Sequence, residues 1–212
     1  MIAVTIGLFG GIFAAAVMSG MSEQRVQSAI QNEVSHIQLH QKHYLDNNEM
    51  HLTIKDSDKK VRMIEQLPEV AAATERLKIT AMAQTAETGA GVKAIAVHPD
   101  KELEVTRLHE QIPDSLGSYF NKAMRNPAVI GKELADKLNV GLRSKIILTF
   151  QEMDGTLTGG AFKVSGIFDT PNSAFEETSL FVRFDDMKRL IGFPDKQSHE
   201  IAVLLHDSEK TQ

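Results

Sequence analysis

The chain lacks cysteine and tryptophan, and aromatic residues make up only 6% of its 212 residues. Without cysteine there is no disulfide framework, thiolate zinc site, cysteine nucleophile or cysteine-ligated iron–sulfur cluster. So few aromatic rings leave little material for platforms that stack on bases or sugars. These absences exclude disulfide-rich scaffolds and the cysteine-based classes of metal and redox centre.

Basic charge is not in excess either, since 23 Lys and Arg face 28 Asp and Glu, for a net charge of −5. A protein that binds nucleic acid through phosphate contacts is therefore not expected. The sequence also contains no GxxxxGK[ST], GxGxxG, GxSxG or HExxH motif, which are signatures of nucleotide-binding and hydrolytic enzymes. We predict no catalytic residue, no cofactor and no metal site in this chain.

Histidine is the residue type that most invites a metal hypothesis. His36 and His40 are spaced to share one face of a strand, with His43 nearby. A zinc site needs a third or fourth ligand at fixed geometry and hydrogen bonds that support the ligands. We therefore interpret these histidines as polar residues on the solvent-facing side of a strand.

Charge is also missing from residues 1–22, and the first charged residue is Glu23. A helix of that length rises about 30 Å, which matches the hydrocarbon core of a bilayer. A cleavable signal peptide would need a basic segment before the apolar run, and a buried helix of a soluble protein is the other alternative. We predict a transmembrane helix that continues as a stalk to residue 34, and we expect a basic segment upstream of Met1.

Small residues recur every fourth position along this predicted helix. They are Ala3, Gly7, Gly11, Ala15 and Ser19. In a helix this spacing makes one narrow stripe, and in lipid such stripes allow two backbones to approach closely. The stripe predicts packing against another helix, although small residues are common in membrane helices in any case.

The rest of the chain has the periodicities of an α+β domain. We predict strands at 36–41, 70–83, 92–97, 145–153, 162–168, 179–184 and 200–205, and helices at 57–67, 131–138 and 185–191. Turns are predicted at 88–91 and at Asp154-Gly155, a strong hairpin signal. The domain thus begins and ends with a strand–helix–strand unit, and a hairpin region lies between the two units.

Several segments resemble one family in order and spacing. The signature of the periplasmic core domain of MacB/FtsX-type ABC transporter permeases is similar to PAVIGKELADKLNVGLRSKIILTF (127–150), KVSGIFDT (163–170) and FVRFDDMKRLIGF (181–193). Two further segments, HIQLHQKHYL (36–45) and HEIAVLL (199–205), resemble the lipoprotein-releasing branch with LolC/LolE-type permeases. The resemblance covers nearly the whole chain.

This resemblance implies an architecture that periodicity alone does not give. Residues 1–34 would be the first transmembrane helix and its stalk. Residues 35–88 and 179–212 would form the two halves of a porter-like subdomain, and residues 89–178 an inserted sabre-like subdomain. Three more transmembrane helices would follow in the whole permease.

The resemblance also implies a function. Two permease subunits, identical or different, would pair with separate ATPase subunits that bind ATP, in a bacterial inner membrane with residues after about 22 in the periplasm. The permease would transmit ATP-driven motion to the periplasm and release lipoproteins to a periplasmic chaperone. The alternatives are a macrolide or peptide exporter, a permease that activates a cell-wall hydrolase, and a single-span anchored sensor or binding domain.

In the lipoprotein-releasing branch, a hairpin of the sabre subdomain recruits the chaperone. The matching residues here are Met153, Asp154, Gly155, Thr156 and Leu157. This hairpin is short and has no proline and little apolar surface, so an ordinary hairpin turn is the alternative interpretation.

Overall fold

The computed structural model describes residues 2–29, 32, 34–121, 123–151 and 155–207. The helices are α1 (Ile2–Ala29), α2 (Tyr44–Asn47), α3 (Ser57–Ile64), α4 (Pro99–Val105), α5 (Lys132–Leu138), α6 (Ser173–Thr178) and α7 (Phe184–Leu190). The strands are β1 (Ile37–His40), β2 (Ile54–Lys55), β3 (Val70–Gln84), β4 (Gly89–Val97), β5 (Pro127–Gly131), β6 (Lys145–Gln151), β7 (Leu157–Phe168), β8 (Ser179–Arg183), β9 (Gln197–Ser198) and β10 (Glu200–Leu205).

The N-terminal helix α1 runs without interruption over 28 residues. Side chains from Leu8 to Met21 are exposed along its whole circumference, and Phe9 and Met18 are more than 70% exposed. Among the residues whose side chains are described, no helix combines the length and the apolar character needed to cross a membrane.

Eight strands form one sheet in the order β1-β10-β3-β4-β8-β5-β7-β6. The end of β3 also pairs with β6, through Met82 to Gln84. This extra pairing closes β3, β4, β8, β5, β7 and β6 into a six-stranded ring. Two of the six strand pairs in the ring, β4–β8 and β5–β7, are parallel, and the other four pairs are antiparallel.

The main core is made by the ring strands together with the apolar faces of α5 and α7. Its members include the fully buried Leu77, Ile130, Leu148, Phe162 and Leu180. Burying a side chain of this size stabilises the fold by about 1.5–3 kcal/mol. Because these residues alternate with exposed ones in β3 and β6, the period-2 pattern of the sequence reports this core directly.

The sheet continues beyond the ring as β1-β10-β3, where both ends of the domain meet. Strand β10 lies between β1 and the first half of β3 and is antiparallel to both. Helix α3 covers one face, where Val61 and Ile64 pack on β3 and β10. Helix α4 covers the other face through Val105. Residues of β3 and β10 are therefore buried on both faces in this region.

The predicted strand–helix–strand units at the two ends are confirmed, but several boundaries and elements were predicted wrongly. The turn at 88–91 ends before Gly89, because Gly89 pairs with Gln84. The return strand begins at Leu157 rather than Phe162, because its pairing with β6 continues from Lys145↔Lys163 to Gln151↔Leu157.

Three elements of five to seven residues escaped the sequence analysis, and so did the shorter α2, β2 and β9. Strand β5 precedes the predicted helix at 131–138, and helices α4 and α6 lie in stretches without a predicted element. Each has only five to seven residues, which is too short for a periodic pattern to be distinctive. The proposed division at residues 88/89 and 178/179 into porter-like and sabre-like parts stays a prediction.

Candidate functional site

The junction between α1 and the sheet is the place where the N-terminal helix can act on the domain. The Ser35 hydroxyl donates to the Val203 carbonyl at 2.8 Å, and the Leu205 amide donates to Nδ1 of His36 at 3.1 Å. Strand β1 follows and pairs with β10 from Ile37↔Val203 to His40↔Glu200. Ser35 and His36, six and seven positions after the last residue of α1, are thus hydrogen-bonded to β10.

A buried charge cluster lies beside this junction and is centred on Arg76 of β3. Arg76 is 1% exposed, and its guanidinium donates to both oxygens of Glu102, at 3.1 and 2.6 Å. The third donor, Nη1, reaches Oε1 of Glu200 at 2.8 Å. Pro99 at the start of α4 and the burial of Glu102 together with Val105 place the Glu102 carboxylate against β3.

The second oxygen of Glu200 faces two more basic groups. Lys78 of β3 forms an ion pair with Oε2, and Nε2 of His40 lies 3.3 Å from the same atom. His40 was predicted to face solvent, and this was wrong, because its side chain is only 7% exposed. The other ring nitrogen of His40 is 3.1 Å from the His199 carbonyl oxygen. Glu200 therefore connects β1, β3 and β10.

A stack of three rings completes the site. Tyr44 lies between His40 and His199, with ring centroids 5.1 and 5.3 Å away. The Lys78 amide donates to Nδ1 of His199, so the proton of the neutral ring is on Nε2, which donates to the Met50 carbonyl at 2.9 Å. Burial lowers the pKa of His199, and the neighbouring His40 acts in the same direction.

Burial and charge act in opposite directions on the central guanidinium. Desolvation lowers the pKa of Arg76, but the carboxylates of Glu102 and Glu200 outweigh it and the pKa is raised. Burial, and to a lesser degree the charge of Glu200, raises the pKa of Tyr44, so its hydroxyl stays neutral. A buried charge is tolerated when it is paired and hydrogen-bonded; Arg76, Glu102 and Oε1 of Glu200 meet both conditions, whereas Oε2 of Glu200 has ion-pair contacts only.

This arrangement favours a mechanical role over a chemical one. The charged groups are directed at one another, and they join α4, β1, β3 and β10 in one network. Breaking one member would leave a buried charge without its partner, which costs several kcal/mol, about 3–5 in measured cases. The network thus ties β1, the first strand after α1, to β3, β10 and α4.

The predicted helix-packing residues lie along α1. Gly11, Ala15 and Ser19 are exposed at four-residue intervals, and a Cβ added at Gly11 would meet nothing within 4 Å. The side chains of Ala3 and Gly7 are outside the part that the structure describes. Packing of this stripe against another helix stays a prediction.

The predicted partner-binding hairpin joins β6 and β7. Met153 and Asp154 fall outside the described residues. Gly155 has φ of +87°, as the hairpin signal requires, and its carbonyl accepts a hydrogen bond from Gln151 Nε2 at 3.0 Å. Leu157 is 74% exposed at the start of β7. A role for this hairpin in binding a partner stays a prediction.

Sequence reasoning missed Arg76, Glu102 and Glu200. The available signal was a set of charged residues inside otherwise apolar strands, as in VAAATERLKI and EIAVLL. His36 and His40 are engaged by hydrogen bonds or an ion pair. Among the residues that the structure describes, no three His, Asp or Glu side chains are grouped as a metal site would require.

Comparisons with known proteins agree with this geometry. A family model described as MacB-like periplasmic core domain matches residues 1–212. The extracellular domain of the noncanonic ABC-type transporter YknZ from Gram-positive bacteria is 13% identical, with a TM-score of 0.53 over 73% of this chain and 75% of that chain. The periplasmic region of MacB from Actinobacillus actinomycetemcomitans is 10% identical, with a TM-score of 0.52 over 80% and 73%. No curated protein sequence matches significantly.

Proposed function

The chain belongs to the family of MacB-like periplasmic core domains, and we propose that it is the N-terminal part of an ABC transporter permease subunit. In this proposal it works by mechanotransmission: motion driven by ATP on the cytoplasmic side of the membrane reaches the domain through α1. The chain itself is not an enzyme and binds no cofactor, and ATP is bound by a separate ATPase subunit.

One observation carries the mechanical part of this proposal. Helix α1 leads into β1, and β1 is tied through Glu200 to a buried network that includes Arg76 and Lys78 of β3. Motion that reaches Ser35 and His36 would meet backbone and side chains that are hydrogen-bonded to β10. A strand with paired backbone and buried charges passes it on.

The membrane part of the proposal rests on α1. Residues 1–22 have no charge, and the exposed side chains of α1 include Leu8, Phe9, Ile12 and Phe13. We propose that α1 anchors the subunit in a bacterial inner membrane, with residues after about 22 in the periplasm. The stripe that includes Gly11 and Ala15 would then pack against a second permease subunit, identical or different.

For the cargo, we propose lipoproteins that are released from the inner membrane to a periplasmic chaperone. The two segments that resemble the lipoprotein-releasing branch supply β1 and β10, which pair with each other. A macrolide or peptide exporter is the second candidate. It is favoured by the shortness of the β6–β7 hairpin, which offers Leu157 as its exposed apolar residue among those described.

The test uses the permease in its native membrane. Residues 1–212 contain no cysteine, so a Glu87→Cys variant of a permease whose other cysteines are replaced by serine carries a single spin label, at an exposed site of the β3–β4 turn. We expect an ATPase subunit to copurify, and we expect the distance between the labels of two paired subunits to change when ATP and vanadate are added.

A matched pair of variants then tests the route of the motion. Glu200→Gln weakens the buried network, whereas Glu177→Gln breaks an exposed ion pair with Lys137. We expect the ATP-dependent distance change to be lost in the first variant and kept in the second. Failure of any ATPase subunit to copurify would refute the permease proposal. An unaltered distance change in Glu200→Gln would refute the route through the buried network.

A further inference from the structure

A groove at the far end of the β6–β7 ribbon has a charge pattern that the fold does not need. It lies at the Lys145–Lys163 end of the ribbon, six residues of β6 or about 20 Å away from the hairpin. Its volume is about 710 Å³, and its lining includes four basic side chains, Arg125, Arg143, Lys145 and Lys163. All four are exposed.

The four basic residues are held in place by the backbone. Lys145 and Lys163 are directly opposite each other in the antiparallel pair, so their side chains share one face. The amide of Arg143 donates to the Val164 carbonyl at 2.8 Å, and the amide of Lys163 donates to the Asn126 carbonyl at 2.9 Å. The three segments that line the groove are thus fixed relative to one another.

Among the described residues, no carboxylate forms an ion pair with any of these four cations, and none lines the groove. Lysines elsewhere on the chain are of two kinds: Lys42, Lys55, Lys60, Lys93 and Lys196 form no ion pair among the described residues either, but none of them lines this groove, and others are paired. Lys132 pairs with Asp169 at 2.5 Å, Lys137 with Glu177 at 2.6 Å, and Lys188 with Asp195 at 2.5 Å. In a chain of net charge −5, four uncompensated cations in one groove are an anion-binding surface.

Like charges that face each other across two strands repel and weaken the sheet. A ligand with several negative charges would remove that repulsion. Guanidinium groups match the oxygens of a phosphate through paired hydrogen bonds, and lysines add point charges. The volume lies within the range of small-molecule sites, roughly 300–1,000 Å³, and a concave site of that size suits a headgroup better than a protein surface.

We propose that this groove binds a ligand that carries two or more phosphate groups, either an anionic lipid headgroup or a soluble phosphate compound. The proposal goes beyond the permease function and does not depend on it. It assigns a second binding surface to the domain, on the opposite end of the β6–β7 ribbon from the predicted partner-binding hairpin.

The test is calorimetric titration of the full chain in dodecyl maltoside with two probes that each carry two phosphates, inorganic pyrophosphate and detergent-solubilised cardiolipin. The groove variant is Arg143→Gln/Lys145→Gln/Lys163→Gln. The matched control is Lys132→Gln/Lys137→Gln/Lys188→Gln, which removes the same charge from paired lysines elsewhere. We expect binding to weaken about tenfold or more in the groove variant, because charge-assisted hydrogen bonds are lost, and to change less than about twofold in the control.

The two probes separate the two sources of phosphate. Tighter binding of cardiolipin than of pyrophosphate would identify a lipid headgroup, and the reverse order would identify a soluble compound. The proposal is overturned if the wild-type chain binds neither probe, or if the groove variant and the control lose affinity equally. It is also overturned if polyglutamate alone binds in a groove-dependent manner, since the partner would then be an acidic polypeptide.

Discussion

The buried charge cluster and the basic groove use the same residue types on the same sheet in opposite ways. In the cluster, Arg76 is 1% exposed and contacts two carboxylates. In the groove, four exposed cations have no carboxylate partner among the described residues. Burial makes pairing compulsory, because an isolated buried charge is very costly. Exposure removes that requirement, because water and salt screen the repulsion.

This difference separates the charges that serve the fold from the charges that are free to serve a ligand. The carboxylates of the cluster have their counterions within the protein, so they offer little to an outside molecule. The cations of the groove have no such counterion among the described residues, so a bound anion would neutralise their charge. Substitutions in the two regions should therefore change stability with opposite sign.

The largest effect is expected from Arg76→Met. This change leaves Glu102 and Glu200 buried beside each other without their shared counterion, and we expect the free energy of unfolding to fall by about 3–5 kcal/mol. Urea denaturation followed by circular dichroism measures it.

The control for this prediction is Arg183→Met, which removes a partly exposed partner of Asp186 while Arg189 still contacts that carboxylate. We expect a loss of about 1 kcal/mol or less there. Equal losses in the two variants would mean that burial does not distinguish the cluster from ordinary ion pairs.

A smaller effect concerns the pH dependence of stability. Burial lowers the pKa of His199 below its ordinary value of 6.5, so the folded chain prefers the neutral ring. As the pH falls below about 6.5, the unfolded chain takes up a proton that the folded chain resists, and stability declines. Above that pH, His199 does not change the free energy of unfolding as the pH changes.

The expected measurement is a set of urea midpoints between pH 5 and 8. His199→Gln should flatten the decline at low pH, whatever its cost at neutral pH, and His51→Gln, at a side chain that is 66% exposed, is the control. A decline of the same steepness in His199→Gln would assign the pH dependence to other groups.

The sequence predicted what depends on local pattern and missed what depends on distant pairing. The helix at 57–64 and the strand at 200–205 follow from their own periodicity. The buried cluster cannot be predicted in this way, because Arg76 and Glu200 are 124 positions apart. The strand order β1-β10-β3, which brings them together, does not follow from any local sequence pattern. The 28-residue α1 is long enough to be predicted from its own sequence. The five residues of β5 are identified as a strand only by their pairing with other strands.

The groove is an intermediate case. Its central pair was nearly within reach of the sequence, because a two-residue turn at Asp154-Gly155 would place Lys145 opposite Val164, one residue from its observed partner Lys163. Arg125 and Arg143 were not, since they reach the groove through the loop before β5 and a left-handed residue before β6. Register within a hairpin is local information, and the assembly of three segments around it is not.

The smallest effect is expected from a charge reversal at Lys163 in the groove. Lys163→Glu replaces a repulsive cross-strand pair with an attractive one, and we expect stability to rise by about 0.5 kcal/mol while phosphate binding is lost. Lys137→Glu replaces an attractive ion pair with Glu177 by two like charges, and it should lower stability slightly. Removing a cation would then destabilise the cluster and stabilise the groove. Should Lys163→Glu destabilise the chain, the groove lysines would belong to the fold, as Arg76 does.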